Sequence, residues 1–340
     1  MRAWQLTETK GIGSYVMNEV DEPEPGPGEV RVDVSHSALN HLDLWVAQGL
    51  PSPKHLPHIG GADGAGVIDA VGEGVSGFDI GDEVIIDPSF SCGTCSFCRN
   101  DEIVYCDSFQ ILGEHRPGTF TEKIVIPTIN AVRKPRSMSW EVAGSFGLAT
   151  ATALRMMERA GLKPEQTLLV VGVGGGVSAA AALLGIVMRT RVYVTSRSQD
   201  KIDWAIEQGA AGGFDSAGDF GAEMAGLGGA DVVIDNVGPA TIRQSMRAVK
   251  KGGRIAICGS SSGPKMELTL PALFFRQLEL IGSSMANHGQ FARATTWIGT
   301  VGAKGPVSKV FDFDALPEAL QYLESGEQLG KVVLRHRSEP

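Results

Sequence analysis

The chain has 340 residues, 43% hydrophobic and 20% charged, with 30 Lys and Arg against 39 Asp and Glu. That length exceeds one ordinary domain and suits two. A net charge of −9 without a basic run excludes an electrostatic footprint for nucleic acid or anionic membrane.

The opening Met1-Arg2-Ala3-Trp4-Gln5 carries no apolar signal segment, so a cytoplasmic location is expected. Residues 1 to about 135 predict short strands between turn signals. Glu29 to Val34 alternates apolar and polar residues after the turn Pro23-Glu24-Pro25-Gly26-Pro27-Gly28. Gly66 to Val71, Glu83 to Asp87 and Phe120 to Ile126 read as further strands. Many short strands joined by Gly and Pro predict a β-barrel-like domain.

Within it, Cys92, Cys95, Cys98 and Cys106 are spaced C-x2-C-x2-C-x7-C. Four thiolates in one compact loop match tetrahedral zinc and leave no open coordination position, so the expected role is structural. Redox cycling and an iron–sulfur cluster are the alternatives for the same spacing. Cys258, far from this group, is expected to be a small core residue at the end of a strand.

The pattern changes near Trp140. Residues 140–160 are helical in character, and strand–helix alternation follows. Strands are predicted at Leu168–Val171, Arg191–Thr195, Ala230–Asp235, Arg254–Cys258 and Leu278–Gly282, with helices at Ala179–Met188 and Gln199–Gln208. Such alternation specifies an α/β fold with a doubly wound parallel sheet. Thr167 to Met188 is 22 residues without a charge, long enough for a membrane span. Its cluster Gly172, Gly174, Gly175 and Gly176 argues instead for a buried strand followed by a buried helix. A tail strand at Val307–Phe311, a helix at Leu316–Ser325 and a strand at Lys331–Leu334 complete the chain.

The glycine cluster, with Val177, leaves an apolar strand and enters an Ala-rich helix. A dinucleotide pyrophosphate needs that context: backbone N–H groups at a helix N-terminus and no side chain in the way. The next strand ends Val194-Thr195-Ser196-Arg197, and no carboxylate for a ribose 2′-hydroxyl appears before Asp200. Arg197 and Lys201, with Ser196, suit a 2′-phosphate instead. NADPH is therefore expected over NADH.

With these motifs in order, the whole chain resembles the medium-chain alcohol dehydrogenase/quinone oxidoreductase superfamily. The cysteine spacing and the segment Gly60-Gly61-Ala62-Asp63-Gly64-Ala65-Gly66 carry the resemblance most specifically. The glycine turn is similar to the quinone-oxidoreductase form, with Ser178 in place of its last glycine. The resemblance implies a GroES-like catalytic domain over 1–148 and 286–340, with a zinc lobe at 92–106. It also implies a Rossmann cofactor domain over 149–285. It puts His41 near the cofactor phosphates, Thr152 near the nicotinamide, and Asn236, Cys258, Gly259, Ser260, Ser283 and Ser284 along the cofactor cleft. Homodimers or homotetramers joined through Phe274–Ser283 are implied as well.

The departures concern the catalytic metal. Zinc alcohol dehydrogenases have a Cys at the position of Asn40, a His at Ala62 and a third ligand at Leu148, and their proton-relay hydroxyl falls at Leu42. Alanine and leucine cannot bind zinc, and leucine cannot pass a proton. His36, His41, His55, His58 and His115 occupy no ligand position of the family. Asp43 matches an acid that orients the histidine ligand, which is missing here. Without a Lewis acid, hydride addition to a conjugated carbonyl or quinone is easier than reduction of a simple ketone. The expected reaction is NADPH-dependent reduction of such an acceptor. Asn40 is the candidate to orient the substrate carbonyl, Trp45 to line the pocket, and solvent to supply the proton. Two rivals remain: a zinc-containing alcohol dehydrogenase, and a non-catalytic NADPH-binding structural or sensing protein.

Overall fold

The computed structural model describes residues 1–301 and 307–336. The chain divides into two compact units, 1–148 with 286–340, and 149–285. No described helix is long and apolar enough to cross a membrane.

The first unit is built on a sheet whose central strand is Glu29–Leu39. Alternate residues Val30, Val32 and Val34 are fully buried, and they meet Ile68, Val84, Ile86 and Ile126 in one core. Asp63–Val71 and Lys331–Arg335 pair antiparallel along opposite edges of that strand. The register sets Ala38 opposite Asp63 on one side and opposite Val333 on the other. Side chains alternate faces along a strand, so Lys331 shares the face of Val333, and Asn40 that of Ala38. Asn40 keeps an extended backbone (φ −128°, ψ 157°), so the alternation runs through it. Three polar residues distant in sequence are thereby delivered to one spot.

The strand expected over Phe120–Ile126 starts later, at Lys123, and runs to Pro127. Phe120 is instead fully buried, its N–H bonded to the Gly60 carbonyl and its ring edge-on to Tyr15. That packing needs Gly61, where φ is +93° and a β-carbon would lie 2.6 Å from Phe120.

The second unit is a six-stranded parallel sheet. Its order is Gly212–Asp215, Arg191–Ser196, Thr167–Val171, Ala230–Asp235, Val249–Ile257 and Glu279–Gly282. This is the doubly wound order 3-2-1-4-5-6. The uncharged run from Thr167 divides into the buried strand Thr167–Val171 and the helix Gly176–Val187. Gly172 makes the turn between them in the left-handed region, at φ +75°. Cys258 lies just past its strand and is only half-buried, so it is not the core residue expected.

Asp235 is a buried hub at the carboxyl end of its strand. Its carboxylate accepts from the N–H groups of Val237 and Gly238 and from the hydroxyls of Thr241 and Ser245, at 2.7–3.0 Å. It fixes the loop that begins at Asn236. Asp235→Ala removes the shared acceptor of these four donors, Thr241 keeping only the Gly238 carbonyl, and is expected to destabilise the fold by about 3 kcal/mol or more, read by urea denaturation. An effect below about 1 kcal/mol would contradict this role.

Candidate active site

Asn40, Asp63 and Lys331 form a buried triangle in the first unit. The Lys331 ammonium donates to Asp63 Oδ2 at 2.7 Å and to Asn40 Oδ1 at 2.6 Å. Asn40 Nδ2 donates to the same Asp63 oxygen at 2.9 Å, and the Leu148 N–H donates to Asp63 Oδ1 at 2.6 Å. The Asp63 side chain is 0% exposed and that of Lys331 6%. Two charges so deep are tolerable only because each is paired and hydrogen-bonded.

Asp43 holds this geometry from behind. Its carboxylate accepts from the Asn40 N–H at 2.7 Å and the Gly61 N–H at 3.2 Å. It thus ties the start of the helix His41–Ala47 to the segment leading into Asp63. Burial pushes its carboxyl up to about 7; the amides of Asn40 and Gly61 and the charge of Lys331 oppose the rise, and Asp63 adds to it. The partner that sequence left open for Asp43 is therefore backbone. His41 opens the same helix, and its imidazole is held below the usual range by desolvation and then by the charge of Lys331. Trp45, one turn on, is 40% exposed with its ring 6.4 Å from that of His41. The buried Tyr15 hydroxyl has no protein partner, and desolvation, then Asp43, keeps it protonated. Of the other histidines, His58 is buried and bonded to the Gly113 carbonyl, and His36 is buried beside Ser35.

The four clustered cysteines meet as their spacing predicts. Their ligand atoms all lie within 4.8 Å of one another, and the Cys95 and Cys98 sulfurs are 3.5 Å apart. Sulfurs about 2.3 Å from a shared zinc are about 3.8 Å apart in a tetrahedron, so this donor set fits the ion. Backbone N–H groups point at the sulfurs: that of Cys95 at Cys92, and that of Cys98 at Cys95. Bonds from Thr94 and then the Cys95 N–H draw the Cys92 thiol down to about 6, while, against the Cys98 N–H, burial and the neighbouring cysteines push Cys95 up to about 11, so Cys92 is the first of the two to take the negative charge.

In the second unit, the residues named for the cofactor gather at the carboxyl edge of the sheet. Val171, Asp235, Ile257 and Gly282 stand side by side in register. Gly172, Asn236, Cys258 and Ser283 therefore follow one another across that edge, which is where ligands of open α/β sheets bind. The helix Gly176–Val187 has no side-chain cap, so its first-turn N–H groups face outward, and a β-carbon on Gly175 would meet nothing within 4 Å. Gly174 packs against Lys201, whose ammonium would lie 3.1 Å from a β-carbon there. Gly259 and Ser260 pack on Asn236 and Gly238. Among the residues named for the cofactor, Thr152 Oγ1, Asn236 Oδ1 and Ser283 Oγ are buried without a hydrogen-bond partner. These residues fit a polar dinucleotide. Ser196 ends its strand buried, Arg197 follows it exposed, and Ser284 is exposed.

Comparison with known proteins bears on the family and the fold. Residues 26–136 match the alcohol dehydrogenase GroES-like domain family, and residues 172–300 the zinc-binding dehydrogenase family. A zinc-type alcohol dehydrogenase-like protein of Schizosaccharomyces pombe is 31% identical, over 96% of this chain and 97% of its own. The chain belongs to the zinc-type alcohol dehydrogenase-like, medium-chain dehydrogenase/reductase superfamily. An acryloyl-coenzyme A reductase of Metallosphaera sedula is 30% identical, over 94% of this chain and 96% of its own. A crystal structure of an NAD-dependent alcohol dehydrogenase superimposes with a TM-score of 0.96 at 40% identity, covering 99% and 100% of the two chains. This member of the superfamily is an NAD(P)-dependent oxidoreductase.

Against that family, the catalytic-zinc positions do not fit a metal. Ala62 and Leu148 have no donor side chain, and the Asn40 carboxamide is committed to Lys331 and Asp63. Both oxygens of Asp63 are already engaged. Among the described residues the cysteine lobe is the one group of three or more metal-binding side chains. Sequence reasoning missed Lys331 and Asp63 as site residues. The signal for Lys331 was a lone cation opening the apolar strand Val332-Val333-Leu334.

Lys331→Met strands the Asp63 carboxylate in the interior and is expected to cost about 3–5 kcal/mol of stability, with Lys331→Met/Asp63→Asn recovering most of it. Equal losses in the two variants, by urea denaturation, would refute the pairing. A separate test uses pH. The raised Asp43 pKa means the folded state keeps a proton that the unfolded chain releases near pH 4, so this stabilisation is full below about pH 4 and fades as pH rises through 7. Stability should fall over that window, and Asp43→Asn should flatten the slope; an unchanged slope argues against a buried, proton-holding Asp43.

Proposed function

We propose that this oxidoreductase uses NADPH to reduce α,β-unsaturated carbonyl compounds or quinones without a catalytic zinc. The observation that carries the reading is the donor set at Asn40, Ala62 and Leu148, which offers a metal no ligand while Asp63 is occupied by Lys331. The bound cofactor supplies a hydride. The chain's own residues then have three tasks. Gly172, Gly174, Gly175, Gly176 and Val177 would accept the pyrophosphate, with Thr152, Asn236, Cys258, Gly259, Ser260, Ser283 and Ser284 along the dinucleotide. Arg197 and Lys201, with Ser196, would grip the 2′-phosphate. Asn40 would orient the substrate carbonyl, His41 would stand by the phosphates, and Asp43 would hold the Asn40 backbone. The cysteine lobe would keep one structural zinc.

The similarity to an acryloyl-coenzyme A reductase supports a conjugated acceptor. The likeness to an NAD-dependent alcohol dehydrogenase favours a second reading, alcohol oxidation with hydride transfer to NAD+. We also propose a cytoplasmic homodimer or homotetramer joined through Phe274–Ser283. Glu279–Gly282 is an edge strand of its sheet, and Phe274 and Phe275 beside it are 57% and 72% exposed.

Steady-state assays with a panel of enals, enoyl thioesters, quinones and simple alcohols separate the readings. The expected result is NADPH-dependent turnover of a conjugated acceptor, insensitive to chelator, with one zinc per chain. Arg197→Ala should raise the KM for NADPH at least tenfold and leave that for NADH unchanged. Chelator-sensitive alcohol oxidation with two zincs per chain would overturn the proposal in favour of the second reading.

A further inference from the structure

We infer that Ser178 is a positioning residue for the dinucleotide: it turns the carboxamide of Asn236 so that Asn236 Oδ1 accepts from a hydroxyl of the nicotinamide-side ribose. The inference rests on the cofactor reading above, adds a residue and an orientation to it, and needs nothing from the substrate. Ser178 is the third residue of the helix Gly176–Val187, is 4% exposed, and stands where the quinone-oxidoreductase turn has its last glycine. Its hydroxyl donates to the Val171 carbonyl at 3.1 Å, which uses its one proton. The hydroxyl oxygen can then only accept, and Asn236 Nδ2 donates to it at 3.4 Å. A carboxamide whose nitrogen is drawn to Ser178 turns its oxygen the other way. That oxygen, Asn236 Oδ1, is buried without a hydrogen-bond partner. A glycine at 178 would leave the amide free to flip.

Chemistry and topology together select the donor. An amide oxygen takes an O–H or N–H, and it has nothing to offer phosphate oxygens, which also only accept. The strand Ala230–Asp235 runs beside Thr167–Val171, on the side away from Arg191–Ser196. With the 2′-phosphate end at Ser196 and Arg197 and the pyrophosphate at the glycine turn, the other half of a dinucleotide would reach the loop after Asp235. That loop abuts the turn, for a β-carbon on Gly172 would lie 3.0 Å from Val237 Cγ2. The first donors beyond the pyrophosphate in that direction are ribose hydroxyls. Asn236 is held firmly enough to select among them. The Asp235 carboxylate fixes the N–H groups of Val237 and Gly238, and the Asn236 carbonyl accepts from the Ser261 N–H at 3.4 Å. Gly259 packs so closely that a β-carbon there would lie 3.1 Å from that carbonyl oxygen.

The test measures Kd on the zinc-loaded full chain, by calorimetry for fragments and by fluorescence for NADPH and NADH. ADP-ribose and 2′-phospho-ADP-ribose carry the ribose in question, whereas ADP and 2′-phospho-ADP stop at the pyrophosphate. The variants are Ser178→Ala, Asn236→Leu and the two combined, with Asn236→Ser in place of Asn236→Leu should that chain fail to fold. Asn236→Leu should weaken the ribose-bearing fragments and the whole dinucleotides about tenfold, and Ser178→Ala about threefold. Fragments without the ribose should stay within about twofold of wild type. Ser178 acts through the amide, so the combined variant should bind no worse than Asn236→Leu alone. Unchanged binding of the ribose-bearing fragments would overturn the inference, and a loss confined to whole dinucleotides would assign Asn236 to the nicotinamide carboxamide instead. Equal losses with and without the ribose would assign the pair to the pyrophosphate turn and overturn it too. Additive losses in the combined variant would refute the positioning role of Ser178. If the wild type binds neither NADPH nor NADH, the cofactor reading itself fails; if it binds either one, the fragment pairs decide this inference alone.

Discussion

The buried ion pair between Lys331 and Asp63 is the contact that organises the polar interior of the first unit. It exists because Leu39 pairs with Val332 and Ala38 with Asp63, so that three strand ends converge. Neither charge could sit there alone. An isolated ion in a protein interior would shift its protonation or unfold the site, and here each ion is the other's solvent. The pair also holds the carboxamide of Asn40 and the N–H of Leu148.

The second unit follows a different rule. Its parallel strands end in register, and the loops leaving them expose backbone N–H groups and short polar side chains along one edge. Asp235 pins one of these loops from inside the sheet. A dinucleotide needs that combination of a stiff base and open glycine turns, and an acidic chain can supply it locally, with Lys201 beside Gly174. The cysteine lobe serves neither of these arrangements. Its sulfurs are gathered by short loops and backbone bonds, consistent with a closed, structural ion.

Much of this was legible in the sequence, and the reason is range. Cysteine spacing, the glycine turn after an apolar strand, and strand–helix alternation are signals within 10 to 30 residues, and the structure reproduces them. Lys331 was not legible, because its partners Asp63 and Asn40 lie 268 and 291 residues away and only sheet register joins them. The strand Gly212–Asp215 escaped notice because it opens with two glycines, which weaken any strand signal, and it forms through pairing with Tyr193–Ser196. The misplaced start at Phe120 has the same origin. An aromatic residue reads as strand, whereas its burial against Gly60, Gly61 and Tyr15 decides its backbone path.

The most direct test of the account is the anomalous scattering map at the zinc edge from crystals of the full chain grown with excess zinc and NADPH. A single strong peak among the sulfurs of Cys92, Cys95, Cys98 and Cys106 is the predicted result. A second peak within bonding distance of Asn40 or Asp63, with the Lys331 ammonium displaced, would contradict it.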